Sequence, residues 1–186
     1  MTLEERITRL EDIESIRYLQ SKYQRCLDCR DFDGLGECFD VDAIATYDSG
    51  KMSYNGKDNI ISFLSKVMKL SRPSAHLIHG GEIDILTSTT AKAKRILEDQ
   101  LIVQEAFVKI QGAAVYNIEY IKIDDSWLIK KIGYTRYYQY VEHRGIFNLF
   151  SLCKKDVFKE LKTKNVDELG EYGKKFQQKR VKRTKK

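Results

Sequence analysis

The pattern of apolar positions divides the chain into a helical first part and a strand-rich second part. Residues 2 to 5 (TLEE) match a capping box, which predicts a helix start there and an amphipathic helix to about Arg30. A second start near Asp12 is an alternative. The apolar stripe of this helix recurs in steps of three and four residues, at Ile13, Ile16, Leu19, Tyr23 and Cys26.

Shorter elements follow this helix. The segment from Asp33 to Phe39 predicts one or two further helical turns. Ala43 to Tyr47 and Met52 to Tyr54 predict two short strands, joined through the turn residues DSG as a hairpin. Lys57 to Lys69 has the spacing of an amphipathic helix.

After Pro73 the pattern changes to long strands separated by turns. The predicted strands are Ala75 to Leu86, Thr89 to Val103, Phe107 to Ile123 and Ser126 to Tyr140. Helices followed by a meander of long strands predict the α+β class, with the N-terminal helices covering one face of a curved antiparallel sheet and a pocket between the two layers.

Length and charge set the domain organisation. With 186 residues the chain is long enough for one domain with a sizeable core. We expect a domain over 1–144, a partly helical extension over 145–173 and a disordered tail over 174–186. The formal net charge is +6, but the tail alone holds eight lysines and arginines, so the rest carries about −2. This distribution predicts no nucleic-acid partner.

The remaining composition argues against several kinds of site. Four cysteines (Cys26, Cys29, Cys38 and Cys153) follow a charged N-terminus, which predicts reduced thiols and a cytoplasmic location. The C-x-x-C pair has no second pair at zinc spacing, and we expect no metal. No apolar run reaches membrane length, so we expect no membrane contact. Gly80-Gly81 precedes strand residues rather than a helix, so we expect no nucleotide cofactor.

Asp99 is the residue that points most clearly to a functional site. The odd positions of its strand are otherwise mostly apolar, whereas Lys92, Lys94, Glu98 and Gln100 are polar. A buried, unpaired carboxylate costs on the order of several kcal/mol, so it must be paired, protonated or used. Apolar surroundings would favour its protonated form, which suits a proton donor. The structural alternative is an ion pair with Arg136.

Two histidines compete for the role of catalytic base. Alternation groups His79 with Ile83 and Ile85 on the apolar side of the strand. The glycines at 80 and 81 are typical of a β-bulge, and one extra residue would bring His76 inward instead. The pattern leaves both histidines open.

Tyr23 and Asp28 lie near the end of the first helix. Five residues rotate a regular helix by roughly 500°, which leaves about 140° between the two side chains unless the helix unwinds before Asp28. Core packing is the alternative for Tyr23. A histidine, carboxylates and tyrosine hydroxyls suit proton transfer on an organic substrate, such as elimination of water, isomerisation or cyclisation.

Several strings resemble the SnoaL-like branch of the nuclear-transport-factor-2-like (NTF2-like) superfamily, and within it the bile acid 7α-dehydratases. They are MTLEER, KYQRCLD, SAHLIHGGEI, LEDQLI, YIKIDDSWLI and GYTRYY. The resemblance implies a cone-shaped α+β fold, a homotrimer and a cofactor-independent hydro-lyase. It implies as substrate a 7α-hydroxy-3-oxo-4-ene bile acid or its coenzyme A (CoA) thioester.

The resemblance also implies roles for individual residues. Tyr23 would hydrogen-bond the 3-oxo group of the substrate, and Asp28 would orient the catalytic histidine, which is His76 rather than His79. Asp99 completes the catalytic set. The substrate-binding residues are expected to be Arg136, Tyr47 and Tyr116.

Two other functions fit the same residues. The chain resembles SnoaL-like dehydratases, isomerases and cyclases of other polycyclic substrates, and also non-catalytic NTF2-like binding modules. A deep, polar pocket would favour an enzyme, whereas a filled cone with Asp99 bridged only to Arg136 would favour the module.

Overall fold

The computed structural model describes residues 1–47 and 50–143. Its helices are α1 (Leu3–Cys29), α2 (Phe32–Gly36) and α3 (Lys57–Leu70). The predicted capping box is present, because the Thr2 hydroxyl accepts from the Glu5 N–H and the Glu5 carboxylate accepts from the Thr2 N–H. Helix α1 therefore starts at Leu3 and continues through Asp12 without a second start.

Six strands form one sheet. They are β1 (Phe39–Tyr47), β2 (Met52–Asn55), β3 (Ser71–Ile85), β4 (Thr90–Val103), β5 (Val108–Ile123) and β6 (Ser126–His143). Their order is β2-β1-β6-β5-β4-β3, and every neighbouring pair is antiparallel except β1 and β6, which are parallel. The predicted α+β class, with N-terminal helices on a curved, mostly antiparallel sheet, is confirmed.

Strand β1 differs most from its prediction. The helical turns expected as far as Phe39 end at Gly36, and Phe39 instead begins the strand. The hairpin with β2 is present, but β1 also pairs in parallel with β6, where Phe39 lies opposite Ile129. This long-range pairing places β1 inside the sheet and extends it beyond the local hairpin pattern.

The core lies between the helices and one face of the sheet. The alternating positions of β4 and β5 that face the helices are buried, as period-two patterning requires. Fully buried apolar residues from both layers include Ile16, Leu35, Ile60, Leu97, Ile118 and Ile129. Asp99 belongs to this buried face, as its strand pattern predicted.

A bulge in β3 decides which histidine points inward. The pairing of β3 with β4 shifts between Ile78 and Gly81, and before the shift His76 lies directly opposite Asp99. The His76 side chain is 10% exposed and that of His79 is 54% exposed. A Cβ on Gly81 would approach the Lys94 carbonyl oxygen to 2.3 Å, so this position requires glycine.

Two of the predicted regions are not among the described residues. The expected extension over 145–173 and the expected tail over 174–186 lie outside the described residues.

Among the helices that the structure describes, none combines the length and the apolar character needed to cross a bilayer.

Candidate active site

Asp28 and His76 form a hydrogen-bonded pair between the last turn of α1 and strand β3. Oδ1 of Asp28 lies 2.7 Å from Nδ1 of the His76 ring, and Oδ2 accepts the His76 backbone N–H at 2.8 Å. The ring therefore approaches the carboxylate through Nδ1. Its Nε2 makes no hydrogen bond within the described part of the chain. Such an arrangement orients an imidazole for acid–base chemistry at Nε2.

The surroundings of Asp28 favour its charged form. Burial by itself raises the pKa of the Asp28 carboxyl, but hydrogen bonds and the charge interaction with His76, together with the Ser74 hydroxyl, outweigh it and lower that pKa below the ordinary value. Asp28 is thus an anion at neutral pH and a stable acceptor for the Nδ1 proton of His76.

Three residues that sequence reasoning did not identify hold this pair. The Ser74 hydroxyl donates to Asp28 Oδ1 at 2.9 Å, and the Gln24 amide donates to the His76 carbonyl oxygen at 2.8 Å. The Arg30 guanidinium donates to the carbonyl of Asp28, and also to those of Met68 and Ser71. Arg30 caps α1 in the left-handed conformation, a position that the helix end could have suggested.

Asp99 forms a bidentate ion pair with Arg136. Its Oδ1 lies 2.9 Å from one guanidinium nitrogen and its Oδ2 lies 2.6 Å from the other. The hydrogen bond with Asp99 raises the pKa of Arg136. Asp99 is therefore not surrounded by apolar side chains alone, because a guanidinium binds both of its oxygens. The structural alternative considered for Asp99 is therefore present.

The Asp99–Arg136 pair reaches across a whole strand. Asp99 is on β4 and Arg136 on β6, and Gly112 of the intervening strand β5 lies opposite Asp99. A Cβ on Gly112 would come within 2.5 Å of Arg136 Nη1 and 2.7 Å of the Tyr138 carbonyl oxygen. Gly112 therefore provides the space through which the guanidinium reaches the carboxylate.

Three buried tyrosines adjoin these charged groups. Burial raises the pKa of Tyr23, Tyr47 and Tyr116 well above the ordinary value, and each hydroxyl interacts electrostatically with at least one of the others. The hydroxyls of Tyr23 and Tyr47 make no hydrogen bond of ordinary geometry with the described residues. All three remain protonated at neutral pH, with the hydroxyl of Tyr23 beside those of Tyr47 and Tyr116.

Helix α1 stays regular as far as Cys29, so Tyr23 and Asp28 do not share one helix face. Tyr23 points to the middle of the sheet, where it meets Phe39 and Tyr116, whereas Asp28 points to β3. The charge of Asp28 still contributes to the raised pKa of Tyr23. The structure thus brings both residues near one site by contact with different strands.

Other parts of the described chain provide no competing centre. Among the residues that the structure describes, no three histidine, cysteine, aspartate or glutamate side chains are grouped to hold a metal ion. A groove of about 450 Å³ lies away from the Asp28–His76 pair and is lined in part by the outward side chains of Lys92, Lys94 and Glu119.

The chain belongs to the SnoaL-like domain family. The model of this family matches residues 8–132, which include Tyr23, Asp28, His76 and Asp99. Arg136 follows the matched segment by four residues.

Solved structures with the same fold come from several proteins. A putative scytalone dehydratase from Novosphingobium aromaticivorans has a TM-score of 0.68 at 18% identity, with 74% of this chain and 92% of that chain covered. A hexachlorocyclohexane dehydrochlorinase, LinA-type3 from Novosphingobium barchaimii, has a TM-score of 0.67 at 20% identity, with 73% and 93% covered. An NTF2-like protein with a cystatin-like fold, also from N. aromaticivorans, has a TM-score of 0.62 at 18% identity, with 73% and 88% covered. These similarities establish the NTF2-like fold.

Proposed function

We propose that this protein is a cofactor-independent hydro-lyase that eliminates water from a 7α-hydroxy-3-oxo-4-ene bile acid or its CoA thioester to give the 4,6-diene. The observation that carries an acid–base lyase is the Asp28–His76 pair, with Nδ1 bound to the carboxylate and no hydrogen bond at Nε2 among the described residues. The dehydratase and dehydrochlorinase named among the structural neighbours support an elimination. The bile acid substrate rests on the sequence resemblance alone.

In the proposed reaction His76 acts first as the base. Its Nε2 takes the proton from C6, and the electron pair of that C–H bond moves into a dienolate whose charge extends to the 3-oxygen. Asp28 stabilises the resulting imidazolium through Nδ1, as the short distance between the two groups allows.

The buried tyrosines are proposed to receive the charge on the 3-oxygen. Tyr23 is the donor to this oxygen, and Tyr47 and Tyr116 line the same region as further substrate-binding hydroxyls. Their raised pKa values keep these groups protonated, so they act as hydrogen-bond donors rather than bases. An incoming oxygen would also accept hydrogen bonds from Tyr23 and Tyr47, whose hydroxyls make none of ordinary geometry with the described residues.

The ion pair determines what Asp99 contributes to this reaction. When the dienolate collapses, the C6–C7 double bond forms and the C7–O bond breaks. Both oxygens of Asp99 are engaged by the Arg136 guanidinium, so we assign the proton of the leaving water to the His76 imidazolium. Asp99 then holds Arg136 in place, and Arg136 supplies the positive charge next to the substrate.

Incubation of the full chain with the 3-oxo-4-ene 7α-hydroxy bile acid and, separately, with its CoA thioester tests the proposal. We expect the absorbance of a conjugated 4,6-dienone to appear with at least one of them. No product from either substrate would contradict the bile acid assignment and leave dehydration, isomerisation or cyclisation of another polycyclic substrate as the next hypothesis.

A non-catalytic binding module is the second candidate function. The bidentate Asp99–Arg136 pair favours it, because that pair stabilises a buried interior without any substrate. A module would bind its ligand through the tyrosines with no turnover. Binding of the bile acid without a spectral change, with the same affinity in His76→Gln, would support the module.

The assembly and location also remain proposals. We propose a cytoplasmic homotrimer, in line with the sequence resemblance. Light scattering of the purified full chain tests the assembly, and a mass of one or two chains would contradict it.

A further inference from the structure

We propose that Ser74 is a positioning residue of the Asp28–His76 pair, and that its hydroxyl sets how strongly the carboxylate holds the His76 ring. This inference rests on the proposed acid–base role of His76. Ser74 contacts Asp28 rather than the reacting atoms, so it would act only through the carboxylate.

Two residues of β3, Ser74 and His76, hold the Asp28 carboxylate through three contacts. Oδ1 accepts from the Ser74 hydroxyl at 2.9 Å and lies 2.7 Å from His76 Nδ1. Oδ2 accepts from the His76 backbone N–H at 2.8 Å. Residues two apart in a strand point to the same side, so Ser74 and His76 reach the same carboxylate together. Their three contacts fix its rotation.

The Ser74 hydroxyl and the His76 ring share one oxygen, and this sharing has an electrostatic consequence. A donor on a carboxylate stabilises its charge and makes the oxygen a weaker base. Without the Ser74 hydroxyl, the negative charge on Oδ1 would be stabilised by the His76 ring alone. The ring would then be held more tightly in its imidazolium form, and it would keep its proton to higher pH.

Several titratable or charged groups lie near the pair. Those facing Asp28 or His76 are Tyr23, Cys29 and Arg30 of α1 and, from β4, Asp99, whose partner is Arg136 of β6. Arg30, Asp99 and Arg136 are the charged groups among them, and the Ser74 hydroxyl donates its hydrogen bond to Asp28 rather than to Asp99. A change in the titration of the His76 ring would therefore report on the hydroxyl.

The matched control is Ser71, three residues earlier on the same strand. Its hydroxyl is also partly buried, but it donates to the Val67 carbonyl oxygen of α3 at 3.2 Å and not to Asp28. Ser71→Ala therefore removes a similar hydrogen bond without touching the pair. Ser74→Thr keeps a hydroxyl at the position, and Ser74→Cys keeps its size with a weaker donor.

The experiment is a pH titration of the histidine ring signals by NMR in the free, full-length protein. The His76 ring is assigned by its loss in His76→Gln. We expect Ser74→Ala to move the midpoint of this ring upward by roughly one pH unit. Ser74→Cys should shift it by less, whereas Ser74→Thr and Ser71→Ala should leave it at the wild-type pH.

Equal midpoints in Ser74→Ala, Ser74→Cys and Ser71→Ala would overturn the inference. The titration requires no substrate, so a failure of the bile acid assay would not affect it. If the protein does turn over a substrate, the acid limb of its kcat/KM profile should move by the same amount in Ser74→Ala. An unmoved limb would likewise contradict the role of Ser74, while the proposed dehydratase would stand.

Discussion

The site contains two carboxylates, the partly buried Asp28 and the buried Asp99, and each is bound by a basic side chain in a different way. Asp28 binds the His76 imidazole through one oxygen, and the ring keeps Nε2 without a hydrogen bond in the described chain. Asp99 uses both oxygens for the Arg136 guanidinium. Because an imidazole can lose its proton near neutral pH and a guanidinium cannot, the first pair suits proton transfer and the second suits a fixed charge.

The two pairs also differ in how the chain supports them. The Asp28–His76 pair joins the end of α1 to β3, and Ser74 and Gln24 add hydrogen bonds around it. The Asp99–Arg136 pair crosses β5 above Gly112 and depends on the packing of three strands. We therefore expect substitutions in the first pair to lower activity and substitutions in the second to lower stability.

The largest expected effect is on turnover and comes from His76. His76→Gln should lower kcat/KM by about 10²- to 10⁴-fold in a dienone assay, because the proton acceptor is lost. Its circular dichroism should match that of the wild type. His79→Ala is the matched control, since this exposed ring contacts Glu98 away from the pair. Equal losses in both variants would contradict the assignment to His76.

Breaking the second pair should have the largest effect on stability. Arg136→Met leaves the Asp99 carboxylate buried without its countercharge, and we expect the free energy of unfolding in urea to fall by about 3 to 5 kcal/mol. The double variant Asp99→Asn with Arg136→Met should be clearly more stable than Arg136→Met alone. A loss below about 1 kcal/mol in the single variant would show that water compensates the carboxylate.

A substitution of Tyr23 should lower the activity without lowering the stability. Tyr23→Phe removes a donor to the proposed oxyanion and should lower kcat by about 10²-fold. Its free energy of unfolding should change little, because the hydroxyl makes no hydrogen bond of ordinary geometry with the described residues. Tyr120→Phe removes another buried, unpartnered hydroxyl and should leave kcat unchanged. A large loss of stability in Tyr23→Phe would instead indicate a structural role.

A substitution of Gly112 tests whether the Arg136 side chain crosses β5 at this residue. Gly112→Ala should destabilise the protein by about 1 to 3 kcal/mol, because the new methyl group meets the guanidinium and the Tyr138 carbonyl. Gly80→Ala is a suitable control, since nothing lies within 4 Å of the added carbon. Thermal unfolding of both variants provides the measurement, and equal melting temperatures would argue against the crossing.

The smallest expected effect is the pH dependence that Asp28 adds to folding. Its pKa is lower in the folded protein than in the unfolded chain, so its contribution is complete above the unfolded value of about 3.9 and is lost as the pH falls through the folded value. Asp28→Asn should remove this part of the acid slope, which lies below the unfolded value of about 3.9. Asp84→Asn, at an exposed carboxylate of strand β3, should keep the wild-type slope in urea unfolding.

Local patterns in the sequence predicted most of the secondary structure. The start of α1, helix α3 and the four long strands follow from capping residues, apolar periodicity and turns, which act over a few residues. The burial of Asp99 was predicted for the same reason. The parallel pairing of β1 with β6 was not predicted, because it joins segments that are far apart in the chain.

The sequence alone determined the α+β class and identified Asp99 as a charge on an apolar face, with Arg136 as a candidate partner, because burial of apolar side chains imposes a regular period on each element. The strand pattern could not choose between His76 and His79, and only the family resemblance favoured His76, since one bulge residue reverses the direction of every side chain before it. Only the tertiary structure showed that Asp99 is paired with Arg136 across Gly112, and that Ser74 and Asp28 meet. Such contacts depend on the register and packing of distant segments.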